Sequence, residues 1–129
     1  MAFLHRLVEL KLNSETYSTD TESGVELDNR LFNTESVAVN GGVQATQSAR
    51  LPSLSNITLK NIDKEQLVAL ETLNDNAEKF AVTFTLAAEG GAVSYSGTVR
   101  IEGELVYNSQ AGTLTLNLMS ADGEKFVEI

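Results

Sequence analysis

Phe80-Ala81-Val82-Thr83-Phe84-Thr85-Leu86 sets a large apolar side chain at every second position, with alanine and threonines between. Side chains of a strand point alternately to its two faces, so this period-two pattern predicts a strand with Phe80, Val82, Phe84 and Leu86 against a core. Glu89-Gly90-Gly91 breaks it, and Val93, Tyr95, Val99 and Ile101 repeat the period with Gly97 in phase between them. A glycine in that slot predicts a bulge or a close approach of another part of the chain. Beyond Gly103, Leu105 and Tyr107 continue the strand, and residues 108–112 read as a hairpin loop. Leu114, Leu116 and Leu118 then alternate with Thr113, Thr115 and Asn117, and Asp122-Gly123 turns the chain before Phe126, Val127 and Ile129.

Upstream the pattern is sparser. Val8, Leu10 and Leu12 alternate with Glu9 and Lys11, which predicts a half-buried strand with the three aliphatic residues inward. Val25 and Leu27, with Leu31 and Phe32 beyond, suggest a second strand. Val37 and Val39 mark a third, stopped by the tight-turn signal Asn40-Gly41-Gly42. The only proline, Pro52, suits an edge or a loop. Ile57 and Leu59 alternate with Thr58 and Lys60.

One helix is expected. Asp63 can cap free backbone amides, and Gln66 three residues on completes a capping box. Leu67, Leu70 and Leu73 give it an apolar face, and Asn74 and Asn76 end it. So short a helix needs a sheet to pack on. Strands on both sides of one helix predict a small antiparallel β-sandwich or barrel with one short packed α-helix, a single domain over residues 1–129.

Asn13-Ser14-Glu15-Thr16-Tyr17-Ser18-Thr19-Asp20-Thr21-Glu22-Ser23-Gly24 contains one aromatic residue and no aliphatic one. It reads as a long exposed loop or mobile arm, and loops of this length are often functional.

Chemistry finds little to use. Cysteine is absent, which excludes disulfides, thiolate metal sites and cysteine nucleophiles. The lone histidine, His5, has no second imidazole for a metal site, and a Gly-x-Ser-x-Gly elbow is missing. Glu15, Asp20, Glu22, Glu26 and Asp28 do not fall in a calcium-loop spacing. A carboxylate pair for glycoside hydrolysis would be expected beside aromatic sugar platforms, and the chain has no tryptophan. Gly41-Gly42 and Gly90-Gly91 lack the lysine and spacing of a phosphate loop, and Asn56-Ile57-Thr58 matches a glycosylation sequon without a secretory signal. No cofactor is expected, and the chain is expected not to be an enzyme.

Eighteen acidic against nine basic side chains leave a formal charge of −9, which repels nucleic acid phosphates and anionic membranes. No apolar run approaches the length of a bilayer span, and Arg6, Glu9 and Lys11 interrupt the run a signal peptide would need. Retention in the compartment of synthesis is the expectation.

From Val37 onward the chain resembles the tail tube proteins of contractile-tailed bacteriophages, Mu-like ones in particular, and the tubes of related phage-derived injection devices. The likeness lies in Val37-Ala38-Val39-Asn40-Gly41-Gly42-Val43, in Arg50-Leu51-Pro52-Ser53-Leu54 leading into Ile57-Thr58-Leu59, and in the helix around residues 63–73. It continues through Phe80-Ala81-Val82-Thr83-Phe84, residues 87–95, Gly103-Glu104-Leu105, Gly112 and the closing alternating strand. The resemblance implies a virion structural protein made in the bacterial cytoplasm. Its subunits would form hexameric rings stacked into a tube, with genomic DNA passing through unbound and with sheath and baseplate or terminator proteins as partners. A loop would bridge adjacent rings, and residues 13–24 and 41–54 are both candidates. The channel would be lined by acidic and small polar residues, for which Glu102, Glu104, Thr113, Thr115 and Asn117 are the candidates. A small β-sandwich module binding a ligand or carbohydrate is the alternative from another class.

Overall fold

A computed structural model describes residues 6–20, 24–88 and 90–129. The elements in chain order are β1 (Arg6–Leu12), β2 (Glu15–Tyr17), β3 (Glu26–Asp28), β4 (Phe32–Val39), β5 (Gly42–Ala49), β6 (Ser53–Lys60), α1 (Lys64–Asp75), β7 (Phe80–Ala88), β8 (Gly91–Asn108), β9 (Thr113–Ser120) and β10 (Val127–Glu128). The protein is mainly β, its strand pairs are antiparallel and the described residues include one short helix, as the periodicities predict.

The main sheet runs β2-β1-β7-β8-β9-β6-β3. It curls back on itself. Past β2 the chain crosses from β1 to β6, where Thr19 bridges Leu59, the Asp20 amide donates to the Thr58 carbonyl at 2.9 Å and the Lys60 amide donates to the Ser18 carbonyl at 2.8 Å. Residues 15–20 thus join both ends of the series β1-β7-β8-β9-β6 and close it into a small barrel, the arrangement that leaves fewest unpaired edges.

The inward faces are those the alternation marks. Phe80, Val82, Phe84 and Leu86 of β7 are buried, as are Leu114, Leu116 and Leu118 of β9. β8 is long enough to serve two partners along one edge. Val99 to Asn108 meet β9, while Tyr95 and Ser96 meet β10, so the C-terminal segment continues the line of β9 after the turn at residues 121–125.

The glycine in phase with the core face of β8 is a close approach. A Cβ on Gly97 would stand 2.6 Å from Cδ1 of Phe126, whose ring packs edge-on against Phe84 with centroids 5.3 Å apart. Gly103, further along β8, takes φ +72° where the register with β9 shifts between Glu102 and Val106. A left-handed backbone at a register shift is what glycine permits at low cost.

Helix α1 forms as its capping signal predicts. Asp63 accepts the Gln66 amide at 2.8 Å and Gln66 Oε1 accepts the Asp63 amide at 3.3 Å. Leu70 is fully buried, Leu67 and Leu73 pack on the core beside it, and the helix lies against β8. Burying one leucine is worth about 1.5–3 kcal/mol, so this face holds a helix too short to persist alone.

Three expectations are corrected. Val8 is exposed and Leu7 takes its place in the core, because the pairing of β1 with β7 slips between Leu7 and Glu9. One extra residue in a strand reverses the side of everything before it. Leu31 and Phe32 do not extend β3, which ends at Asp28; Phe32 begins β4 instead. Residues 13–24 are not one long loop. Asn13 and Ser14, at φ 52° and 70°, make a tight two-residue turn, Tyr17 is buried in β2, residues 18–20 pair with β6, and Gly24 bridges Arg6. Thr21, Glu22 and Ser23, like His5 and Glu89, lie outside the described residues.

Candidate assembly surface

Strands β4 and β5 form a sheet of their own, in register from Phe32 opposite Ala49 to Val39 opposite Gly42. The turn at Asn40-Gly41 follows its sequence signal, with Gly41 at φ +98°. Eight residues per strand make a ribbon about 25 Å long at the usual strand rise. Every residue of it is exposed except Asn33, which is half-buried. One face carries Phe32, Thr34, Ser36, Ala38 and Val43; the other carries Asn33, Glu35, Val37, Gln44 and Val39. Phe32 is 56% exposed and Val43 74%.

This ribbon lacks the devices that keep an exposed β edge from pairing. It has no lysine, no arginine and no proline, and Glu35 is its one charge. Natural edges are ordinarily blunted by such residues, and a lone two-stranded ribbon is at best marginal in water. Periodicity does not mark β5, because it reports a buried face and neither face of the ribbon is buried. The Val37/Val39 alternation and the Asn40-Gly41 turn are the signals the ribbon leaves in the sequence.

At the root of the ribbon Asp28, the last residue of β3, holds two arginines. Arg30 donates through Nε to Oδ1 at 2.8 Å and through a terminal nitrogen to Oδ2 at 3.3 Å, while Arg50 also donates to Oδ2. The Arg30 hydrogen bond, with that from Arg50, holds the Asp28 carboxyl below its ordinary range against the opposing effect of burial. The Arg50 amide donates to the Leu31 carbonyl at 2.7 Å and ties the two linkers of the ribbon together.

The five residues expected along a channel lie on β8 and β9, away from the core face. Glu102 pairs with Asn117, Thr115 pairs with Val106 and Thr113 with Asn108. Glu102, Glu104 and Thr115 are exposed, while Thr113 and Asn117 are half-buried. Asn117 has a structural task there, since its Oδ1 accepts the Asn56 amide at 2.9 Å where β6 bulges with Asn56 at φ 61°. The residues of the other candidate set, 13–24, are consumed largely by barrel closure, whereas 42–49 of the second bridging candidate stand in the ribbon.

A cleft of about 350 Å³ opens among Val25, Leu27, Leu86, Val93 and Tyr95. The Tyr95 hydroxyl is the one polar side-chain group in that set, whereas ligand pockets combine apolar walls with several converging polar groups. Among the described residues no three acidic or imidazole side chains converge as a metal site would need, and no helix is long and apolar enough to cross a membrane. Compared with protein-family models and with curated proteins, the chain matches none.

Proposed function

We propose that this chain is a self-assembling structural subunit, and specifically the subunit of a phage tail tube or a related injection device. Its rings, hexameric in this reading, stack into a channel through which genomic DNA passes to the host without being bound. Tail sheath and baseplate or terminator proteins are its further partners, and the assembled protein resides in the virion tail.

The observation that carries this reading is the β4–β5 ribbon. A projecting two-stranded sheet, exposed on both faces and carrying one charge, gains stability by pairing with or packing on another copy. The ribbon therefore takes the role of bridge between subunits or rings, in preference to residues 13–24. The net charge of −9 supports the second half of the proposal, since phosphate affinity comes mainly from lysine and arginine contacts.

Electron microscopy and light scattering of concentrated protein test it, with Val37→Lys/Val43→Lys as the comparison. These positions lie on opposite faces of the ribbon, so the variant charges both. Rings or tubes are expected from the parent, and discrete subunits with unchanged melting from the variant. A parent protein that stays monomeric across a wide range of concentration and salt rejects the proposal.

A further inference from the structure

The ribbon meets the barrel through two short linkers, residues 29–31 and 50–52, neither of which belongs to a strand. An arm joined in this way would swing about its root unless something there fixes its direction. The barrel ends of both linkers are anchored, Asn29 by the backbone of Phe126 and the Pro52 carbonyl by the Ser120 amide at 2.8 Å, which leaves Arg30–Leu31 and Arg50–Leu51 as the joint. The backbone hydrogen bond from Arg50 to Leu31 makes these two stretches move together without fixing either to the barrel.

We infer that Asp28 is the latch of a hinged arm: by gripping Arg30 at the entry and Arg50 at the exit of the ribbon, it fixes the direction in which β4–β5 projects, and releasing them frees the arm to swing. The fixed side of the latch is firmly held. Asp28 pairs with Ser53 of β6, and its neighbour Asn29 is pinned to Phe126 by two hydrogen bonds, at 2.8 and 3.0 Å. The moving side is held more lightly. Arg50 uses one terminal nitrogen on an oxygen it shares with Arg30, while its buried Nε finds no partner. A full two-bond fork would be stronger and more rigid. The side chains of Arg30 and Arg50 are 62% and 35% exposed, so water and salt reach the network and the grip is reversible. A subunit that must not polymerise early and must then reach a neighbour has a use for such a joint. That purpose rests on the assembly proposed above; the latch itself does not.

Pulsed dipolar spectroscopy of spin labels at Gln44→Cys and Glu71→Cys reads the arm against the helix. Both positions are exposed and the chain has no other cysteine. Labelled subunits are diluted into unlabelled ones, so only distances within one chain are seen, whether or not the protein polymerises. In the parent a single narrow distribution is expected. Asp28→Asn and, independently, Arg50→Met should at least double its width while the barrel melts as before. Arg50→Met leaves β3 untouched, so it still decides the matter if Asp28→Asn folds poorly. An unchanged width in Arg50→Met overturns the latch. So does a broadening that comes only with early melting of the barrel, since the arginine would then be supporting the fold and not the arm.

Discussion

The side chain of Asn29 pairs with the backbone of Phe126 as a neighbouring strand would. Its Nδ2 donates to the Phe126 carbonyl at 3.0 Å, and its Oδ1 accepts the Phe126 amide at 2.8 Å. The two residues are 97 apart in sequence. One amide side chain thereby docks the C-terminal segment, sets the Phe126 ring over Gly97 and Phe84, and satisfies two backbone groups of a buried residue.

Removing that pairing should be costly. Asn29→Ala leaves the amide and carbonyl of Phe126 without partners, and each unsatisfied buried group costs about 1–3 kcal/mol. Asn29→Asp can still accept the amide but presents a carboxylate oxygen to the carbonyl, so its loss should equal or exceed that of alanine. Denaturant melts of the two variants check both the size and the order.

Gly97→Ala should destabilise the barrel by about 1–3 kcal/mol through overpacking, since the new methyl would meet a ring that cannot easily retreat. Its partner test is Gly97→Ala combined with Phe126→Leu, which should recover part of the loss because the shorter side chain makes room. Equal stability of Gly97→Ala and the parent would mean that the ring moves freely.

Tyr17 gives the protein an alkaline limit. Burial, followed by the charge of Glu15, its hydrogen bond and the charge of Asp63, pushes the phenol from 10.0 to about 12. The fold thus favours the protonated phenol. This contribution is complete below the unfolded value and is lost as pH rises towards about 12, because the unfolded chain releases its proton first. Ultraviolet titration should show a tyrosinate step near the higher value that Tyr17→Phe removes, and the variant should lose less stability across that interval.

Glu102→Lys/Glu104→Lys probes the channel. Both residues are exposed on β8 away from the core, so subunit stability should change by no more than about 0.5 kcal/mol. In the tube reading, tubes still form but DNA passage slows, because each lysine meeting a phosphate adds affinity. Normal infectivity with intact tubes would remove this pair from the lumen.

By itself the sequence determined the parts whose causes are local. Alternation in β7, β8 and β9 reports a face turned to the core, and each inward residue it marks in β7 and β9 is buried. The Asp63–Gln66 capping box lies within one helical turn, and Gly97 announced a close contact by standing where a large side chain belonged. The tertiary structure alone decided the rest. Whether Leu7 or Val8 faces inward depends on one slip in the pairing with β7, a property of two strands far apart in sequence. Residues 15–20 carry no aliphatic side chain, yet their backbone closes the barrel, because hydrogen bonds between strands are made by groups every residue has. The ribbon was hardest to see. Periodicity detects burial within one chain, and among the described residues both faces of β4 and β5 stay exposed but for the half-buried Asn33.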